Sequence, residues 1–149
     1  IHRREAKEYI ENYFNTYSVV KEFLEKLKEE AREKGYVTTI FNRRRYIPQI
    51  RSSNKAEREL GERLAINTPI QGSAADLIKL AMVRLYDILR QKDLSASIIL
   101  QIHDELLIET KDDIVEEVAG IVKDTMENVY QMRIPITVDV KIGDNWCEI

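Results

Sequence analysis

Apolar positions recur at intervals of three and four along most of this chain, and in only a few places does the period fall to two. Over residues 3–14 the residues Ala6, Tyr9, Ile10 and Tyr13 make one apolar side of a helix. Ser18 is placed to cap a second helix, whose Val20, Phe23, Leu24, Leu27 and Ala31 keep the spacing until Gly35 ends it. Residues 37–40 and 45–47 then fit a short hairpin around Asn42, with Pro48 limiting its continuation. A third helix is expected over about residues 54–66, Pro69 is expected to break the pattern, and a long helix follows over about 72–91. Its Ala74, Leu77, Ile78, Ala81, Leu85, Ile88 and Leu89 form a broad apolar stripe that must be buried against a sheet or other helices.

After that helix the period changes. Residues 98–102 and 106–109 read as strand arms joined through His103 and Asp104, a last helix is expected over about 112–130, and residues 136–142 alternate as a final strand. These elements predict an α+β fold: an antiparallel sheet covered on one side by helices, incomplete as a sheet, preceded by helices and a short hairpin. The stripe Leu77, Ile78, Ala81, Leu85 and Ile88 is expected to pack on Ile98, Leu100, Ile108 and Val138. No internal repeat, low-complexity tract or flexible linker interrupts the pattern.

Composition narrows the setting. A chain of 149 residues suits one domain, the single cysteine, Cys147, has no internal partner for a bridge, and no apolar run is long enough to cross a bilayer or serve as a signal peptide. A soluble, reduced, cytoplasmic protein without membrane contact is expected. The chain opens at Ile1 inside helical sequence, and a piece of something longer is expected. The net charge of −3 conceals an asymmetry: residues 42–63 carry seven Lys and Arg against three Glu, whereas residues 104–149 carry twelve acids against four bases. Such a division suits a nucleic-acid face backed by a solvated surface, or a cation site beside a phosphate site; scattered surface charge is the plainer alternative.

Two constellations can carry chemistry. His103, Asp104 and Glu105 place three ionisable groups between apolar arms, an expensive position for charge unless it opens to a cleft or a metal. Adjacent strand residues face opposite ways, so Asp104 and Glu105 share a metal only if the turn re-aims them, and a Mg²⁺ site needs a further acid from elsewhere. Asp76 and Asp87 on the long helix have nothing in their context that marks them, and a polar hairpin tip with a satisfied histidine is the structural alternative. Arg63 and Asn67 lie four apart on one helical face and Gln71 can extend the same edge, a donor set suited to minor-groove acceptors; alternatively they satisfy helix termini. Arg43, Arg44 and Arg45 beside Tyr46 suit phosphate contacts, or equally a solvated edge.

The segments TTIFNRRRYIPQI, ERLAINTPIQGSAADLIKLAM, LQIHDELLIE and GDNW, in that order and at these intervals, resemble consecutive motifs of bacterial family A DNA polymerases, over essentially all 149 residues. The resemblance implies the C-terminal part of the polymerase domain, with residues 1–70 the last portion of the fingers and residues 71–149 most of the palm. It implies that Asp104 is a metal-binding catalytic carboxylate, Glu105 a neighbour with a lesser role near the metals, and His103 a residue beside the primer terminus. Arg63, Asn67 and Gln71 would contact template and primer at the newly formed base pair. Two Mg²⁺ ions would activate the primer 3′-hydroxyl and bridge the phosphates of a deoxynucleoside triphosphate on primer-template DNA.

That family's other metal-binding aspartate, in a segment beginning DYS, and its nucleotide-gripping fingers helix would lie upstream of Ile1, supplied in cis or by a separate chain. The expectation is therefore a DNA polymerase segment that is inactive without the upstream part. A freestanding DNA-binding module without catalysis is the alternative, and a metal-dependent nuclease a more distant one.

Overall fold

The computed structural model describes residues 2–148. It is a mixed α/β fold with two small antiparallel hairpins, both open sheets, flanked by helices. In chain order these are α1 (Arg3–Thr16), α2 (Ser18–Lys34), β1 (Tyr36–Thr38), β2 (Arg44–Tyr46), a 3-10 turn (Pro48–Arg51), α3 (Lys55–Gln91), β3 (Ala96–Ile102), β4 (Glu105–Thr110), a second 3-10 turn (Asp112–Ile114), α4 (Val115–Glu127) and a last 3-10 turn (Trp146–Glu148). The chain divides into two compact units, one ending at Ser73 and the other beginning at Ala74.

In the first unit α2 stops at Gly35, whose φ of 79° is the left-handed conformation that glycine adopts without penalty, and whose N–H donates to the Ala31 carbonyl. Ser18 does not cap α2, contrary to expectation: it is the first helical residue, and Tyr17 alone separates the two helices. With no room for a side-chain cap, the Tyr17 carbonyl accepts from the N–H groups of both Val20 and Lys21. Beyond Gly35, β1 and β2 pair Tyr36 with Tyr46, Val37 with Arg45 and Thr38 with Arg44. Val37 turns inward and joins Ala31, Ile47, Ile50 and Ala65 in a buried cluster. Burying Val37 and Ile47 completely stabilises the unit by about 1.5–3 kcal/mol each relative to exposure.

The largest departure from expectation is at Pro69, which does not break the chain into two helices. α3 runs unbroken from Lys55 to Gln91 with Pro69 inside it. An internal proline costs about 3 kcal/mol, because it cannot donate to the carbonyl four residues back and its ring crowds that carbonyl. Here the β1–β2 hairpin splints the helix on both sides of the proline. The Arg45 guanidinium donates to the Thr68 hydroxyl at 3.3 Å, that of Arg43 to the Gly72 carbonyl at 3.2 Å, and the Ile40 N–H to the Ser73 hydroxyl at 3.0 Å. The Thr68 and Ser73 hydroxyls in turn donate to the carbonyls of Leu64 and Pro69. The helix begins where expected, with the Asn54 carboxamide accepting from the Ala56 N–H at 2.9 Å.

In the second unit Leu85 and Leu89 of α3 form a buried cluster with Val118 and Val122 of α4, and Ala96, Ile98, Leu106 and Ile108 of the β3–β4 hairpin pack against it. Most of the stripe expected on this helix is therefore covered: Ala81 is buried as well, Leu77, Ile78 and Ile88 are partly so, and Ala74 at its start is exposed. Two of its expected partners lie elsewhere. The hairpin pairs Ile98 with Ile108 but Leu100 with Leu107, leaving Ile99 as an extra residue in a bulge. One extra residue reverses the alternation, so Leu100 shares a face with Leu107, away from Leu106, and stays exposed. Val138 is outside the cluster, its N–H donating to the Glu127 carboxylate at 2.9 Å.

Two other sequence expectations change. Residues 136–142 alternate, with Ile136 and Val138 half-buried, but form no strand; alternation prepares a face, while a strand also needs a neighbour for its backbone, and no ladder forms there among the described residues. The last helix spans Val115–Glu127 rather than 112–130. Its C-terminus is set by Asn128, whose side chain donates to the Asp124 carbonyl at 3.0 Å and competes with the backbone for it.

Candidate functional site

Within α3, Gly61, Ala65, Thr68 and Gly72 fall at intervals of four, three and four, on the side that meets the 3-10 turn and the β1–β2 hairpin. A Cβ at Gly61 would come within 2.6 Å of the Ile50 nitrogen, and one at Gly72 within 2.8 Å of the Thr39 methyl. Only glycine permits that approach. The residues two positions on, Arg63 and Asn67, together with Gln71, consequently occupy the opposite side, and all three are exposed. Among the described residues none of their side chains makes a hydrogen bond or an ion pair, so they do not serve to satisfy helix termini.

The three consecutive arginines have different employment. Arg43 and Arg45 hold the hairpin to α3 as described above, and both remain exposed, a guanidinium having five donors to distribute. Arg44 projects from the other face of the hairpin, with its guanidinium carbon 4.8 Å from the centre of the Tyr36 ring.

In the second unit β3 and β4 pair as far as Ile102 opposite Glu105, leaving His103 and Asp104 as a two-residue turn. His103 takes φ 53°, a left-handed conformation costing a non-glycine residue about 1–2 kcal/mol. The Gln101 carboxamide donates to the His103 carbonyl at 2.6 Å and pins the turn. The side chains of His103, Asp104 and Glu105 are all exposed and, among the described residues, unengaged by hydrogen bond or ion pair, so the histidine is not satisfied within the chain. Asp104 sits in the turn, outside the strand alternation, whereas Glu105 opens β4 on the face shared with Ile102.

The structure thus gathers Arg63, Asn67 and Gln71 on one edge of the first unit, and His103, Asp104 and Glu105 at one turn of the second. The two carboxylates offer the hard oxygen donors that Mg²⁺ takes, and among the described residues no cation pairs with either. Among the described residues no group of three His, Cys, Asp or Glu side chains gathers around a common point, so the donor set fits a Mg²⁺ ion that draws its other ligands from water, phosphate and a further acid. Reading the sequence missed Thr39, Ser73, Gly61, Gly72 and Gln101, which position these groups without touching a ligand. The small-residue spacing 61, 65, 68, 72 is the signal that could have revealed Gly61 and Gly72. No helix among the described residues is long and apolar enough to cross a membrane.

The model of DNA polymerase family A matches residues 1–148. The DNA polymerase I of Caldicellulosiruptor bescii is 49% identical over 148 residues, 99% of this chain and 17% of that protein. The thermostable DNA polymerase I of Thermus aquaticus is 46% identical over 142 residues, 95% of this chain and 17% of that protein. Among solved structures, the polymerase domain of Pol1 from M. smegmatis in complex with DNA primer-template and dNTP superposes with a TM-score of 0.94 at 41% identity, covering 98% of this chain and 26% of that one. The chain spans about one sixth of the length of the curated relatives it matches, and within that span an unbroken match of sequence and fold establishes that it belongs to family A of the DNA polymerases.

Proposed function

We propose that this chain is the fingers (residues 1–70) and palm (residues 71–149) portion of a cytoplasmic template-directed DNA polymerase, active only with an upstream polymerase segment supplied in cis or as a separate chain. Its partners are primer-template DNA and deoxynucleoside triphosphates. The observation that carries this reading is that six polar side chains, Arg63, Asn67, Gln71, His103, Asp104 and Glu105, are exposed and, among the described residues, make no hydrogen bond or ion pair. The solved relative bound to primer-template and dNTP supports the same reading.

In this reading Asp104 holds Mg²⁺, with Glu105 in a lesser role beside it. Two such ions, when bound, supply charge to the attacking hydroxyl and to the triphosphate. Gln71 and Asn67 donate to the purine N3 and pyrimidine O2 acceptors of the terminal base pair, which occupy similar places in every correct pair and move in a mismatch. Arg63 contacts the same base pair, His103 packs beside the primer terminus, and Arg43 and Arg44 offer charge to phosphates.

Primer extension tests this directly. Residues 1–149 alone should show no Mg²⁺-dependent extension, and adding the upstream segment should produce it. In that completed enzyme Gln71→Ala should slow extension from matched ends and alter discrimination against mismatched ones. Uniform loss of affinity for every terminus, with the salt signature of an arginine variant, would refute the minor-groove role. DNA binding that persists while the completed enzyme never extends would favour the non-catalytic DNA-binding module instead.

A further inference from the structure

The outer face of the β1–β2 hairpin is left half open by the fold, with Arg44 and Tyr46 exposed and Tyr36 and Thr38 partly buried. Register places Val37 and Arg45 inward and leaves Tyr36, Tyr46, Thr38 and Arg44 together on the other side. There the two tyrosine rings meet nearly edge-to-face, 5.6 Å between centres at 64°, and the Arg44 guanidinium lies over Tyr36. A pair that served only to brace the hairpin would shelter both rings, yet Tyr46 is 68% exposed. Arg44 is likewise uncommitted: while its two neighbours tie the hairpin to α3, among the described residues its side chain makes no hydrogen bond or ion pair and lies over the Tyr36 ring.

An open aromatic face, a guanidinium beside it and a basic surrounding segment with seven Lys and Arg against three Glu form the arrangement on which unpaired bases stack while cations follow their phosphates. We propose that Tyr46, with Tyr36 and Arg44, is a stacking platform for an unpaired base of single-stranded DNA, such as the template beyond the primed region. The proposal rests on the polymerase reading and adds to it a site that senses the π-face of a base rather than the edge of a pair. Duplex offers it nothing, because stacked and paired bases present no free face.

Two single-stranded oligodeoxynucleotides of equal length and charge, one of thymidines and one abasic, separate stacking from phosphate attraction when titrated against the 149-residue chain by fluorescence anisotropy. The thymidine strand should bind roughly tenfold tighter than the abasic one. Tyr46→Ala and Tyr46→Leu should abolish that preference, Tyr46→Phe should keep it, and Arg44→Ala should weaken both strands and lower the salt slope by about one phosphate contact. Photocrosslinks from a strand carrying 5-iodouracil should fall on Tyr46 or Tyr36. Equal affinity of the parent chain for the two strands, or an equal loss for both on Tyr46→Ala, overturns the platform while leaving the polymerase reading to the Gln71 extension series. Failure to bind either strand overturns it as well.

Discussion

The two hairpins of this molecule solve opposite problems with similar means. Each turns through a non-glycine residue at positive φ, Asn42 at 60° and His103 at 53°. Around Asn42 the tip is tied down: the Thr39 hydroxyl accepts from the N–H groups of Phe41 and Arg43, and Ser73 accepts from Ile40. Around His103 the Gln101 carboxamide is, among the described residues, the only side chain to hydrogen-bond the turn, and His103, Asp104 and Glu105 are exposed. The first hairpin uses its polar groups to hold a helix through a proline, and the second leaves its own free. Polar groups a fold does not consume are those it can offer to a ligand, which sets His103, Asp104 and Glu105 apart from the buried Thr39 and Ser73.

The sharpest break of this comparison is Asp104→Ala in the enzyme completed by its upstream segment. On the metal-holding role proposed for Asp104, its loss should cut primer extension roughly 1,000-fold, with a smaller loss on Glu105→Ala, while the melting temperature stays put. A large fall in stability instead would mean that the second hairpin, too, depends on its tip. Next in size is Gly61→Ala: the added methyl meets backbone of the 3-10 turn, so thermal or urea unfolding should show a loss of about 1–3 kcal/mol. Thr39→Val keeps the shape but leaves the Phe41 and Arg43 N–H groups without their acceptor, an expected cost of about 1–2 kcal/mol by the same measurement. Smallest is the contrast between neighbours. Arg45→Ala should cost about 1 kcal/mol by releasing Thr68, and Arg44→Ala should stay within about 0.5 kcal/mol. Equal costs would erase the distinction between the hairpin's two faces.

Local signals were legible where local physics decides. Gly35 ended its helix, Asn42 marked its turn, and Leu85 and Leu89 were buried as their spacing required. Pro69 misled because its cost is local while the compensation comes from a hairpin some thirty residues earlier, through Ile40, Arg43 and Arg45. Residues 136–142 misled in the opposite sense, since an alternating segment specifies which side is apolar and not which backbone will pair with it. As for the candidate site, the residue types and the helical spacing of Arg63 and Asn67 were visible, and the structure adds that both are exposed and make no hydrogen bond or ion pair among the described residues. What spacing could not deliver was the division of labour among Arg43, Arg44 and Arg45, which follows from strand register.

Ile99 shows how much can depend on an odd or even count. With that residue opposite nothing, the short run from Leu100 to Ile102 keeps step with Leu107, Leu106 and Glu105, and Gln101 shares the packed side with Leu106. A strand that kept Ile99 but alternated without a bulge would turn Leu100 and Ile102 to the packed side and swing Gln101 outward, carrying off the carboxamide that holds the His103 carbonyl. One aliphatic residue that pairs with nothing thus sets the address to which the acidic turn is delivered, and its deletion would leave a regular ladder with the same pairs beyond it.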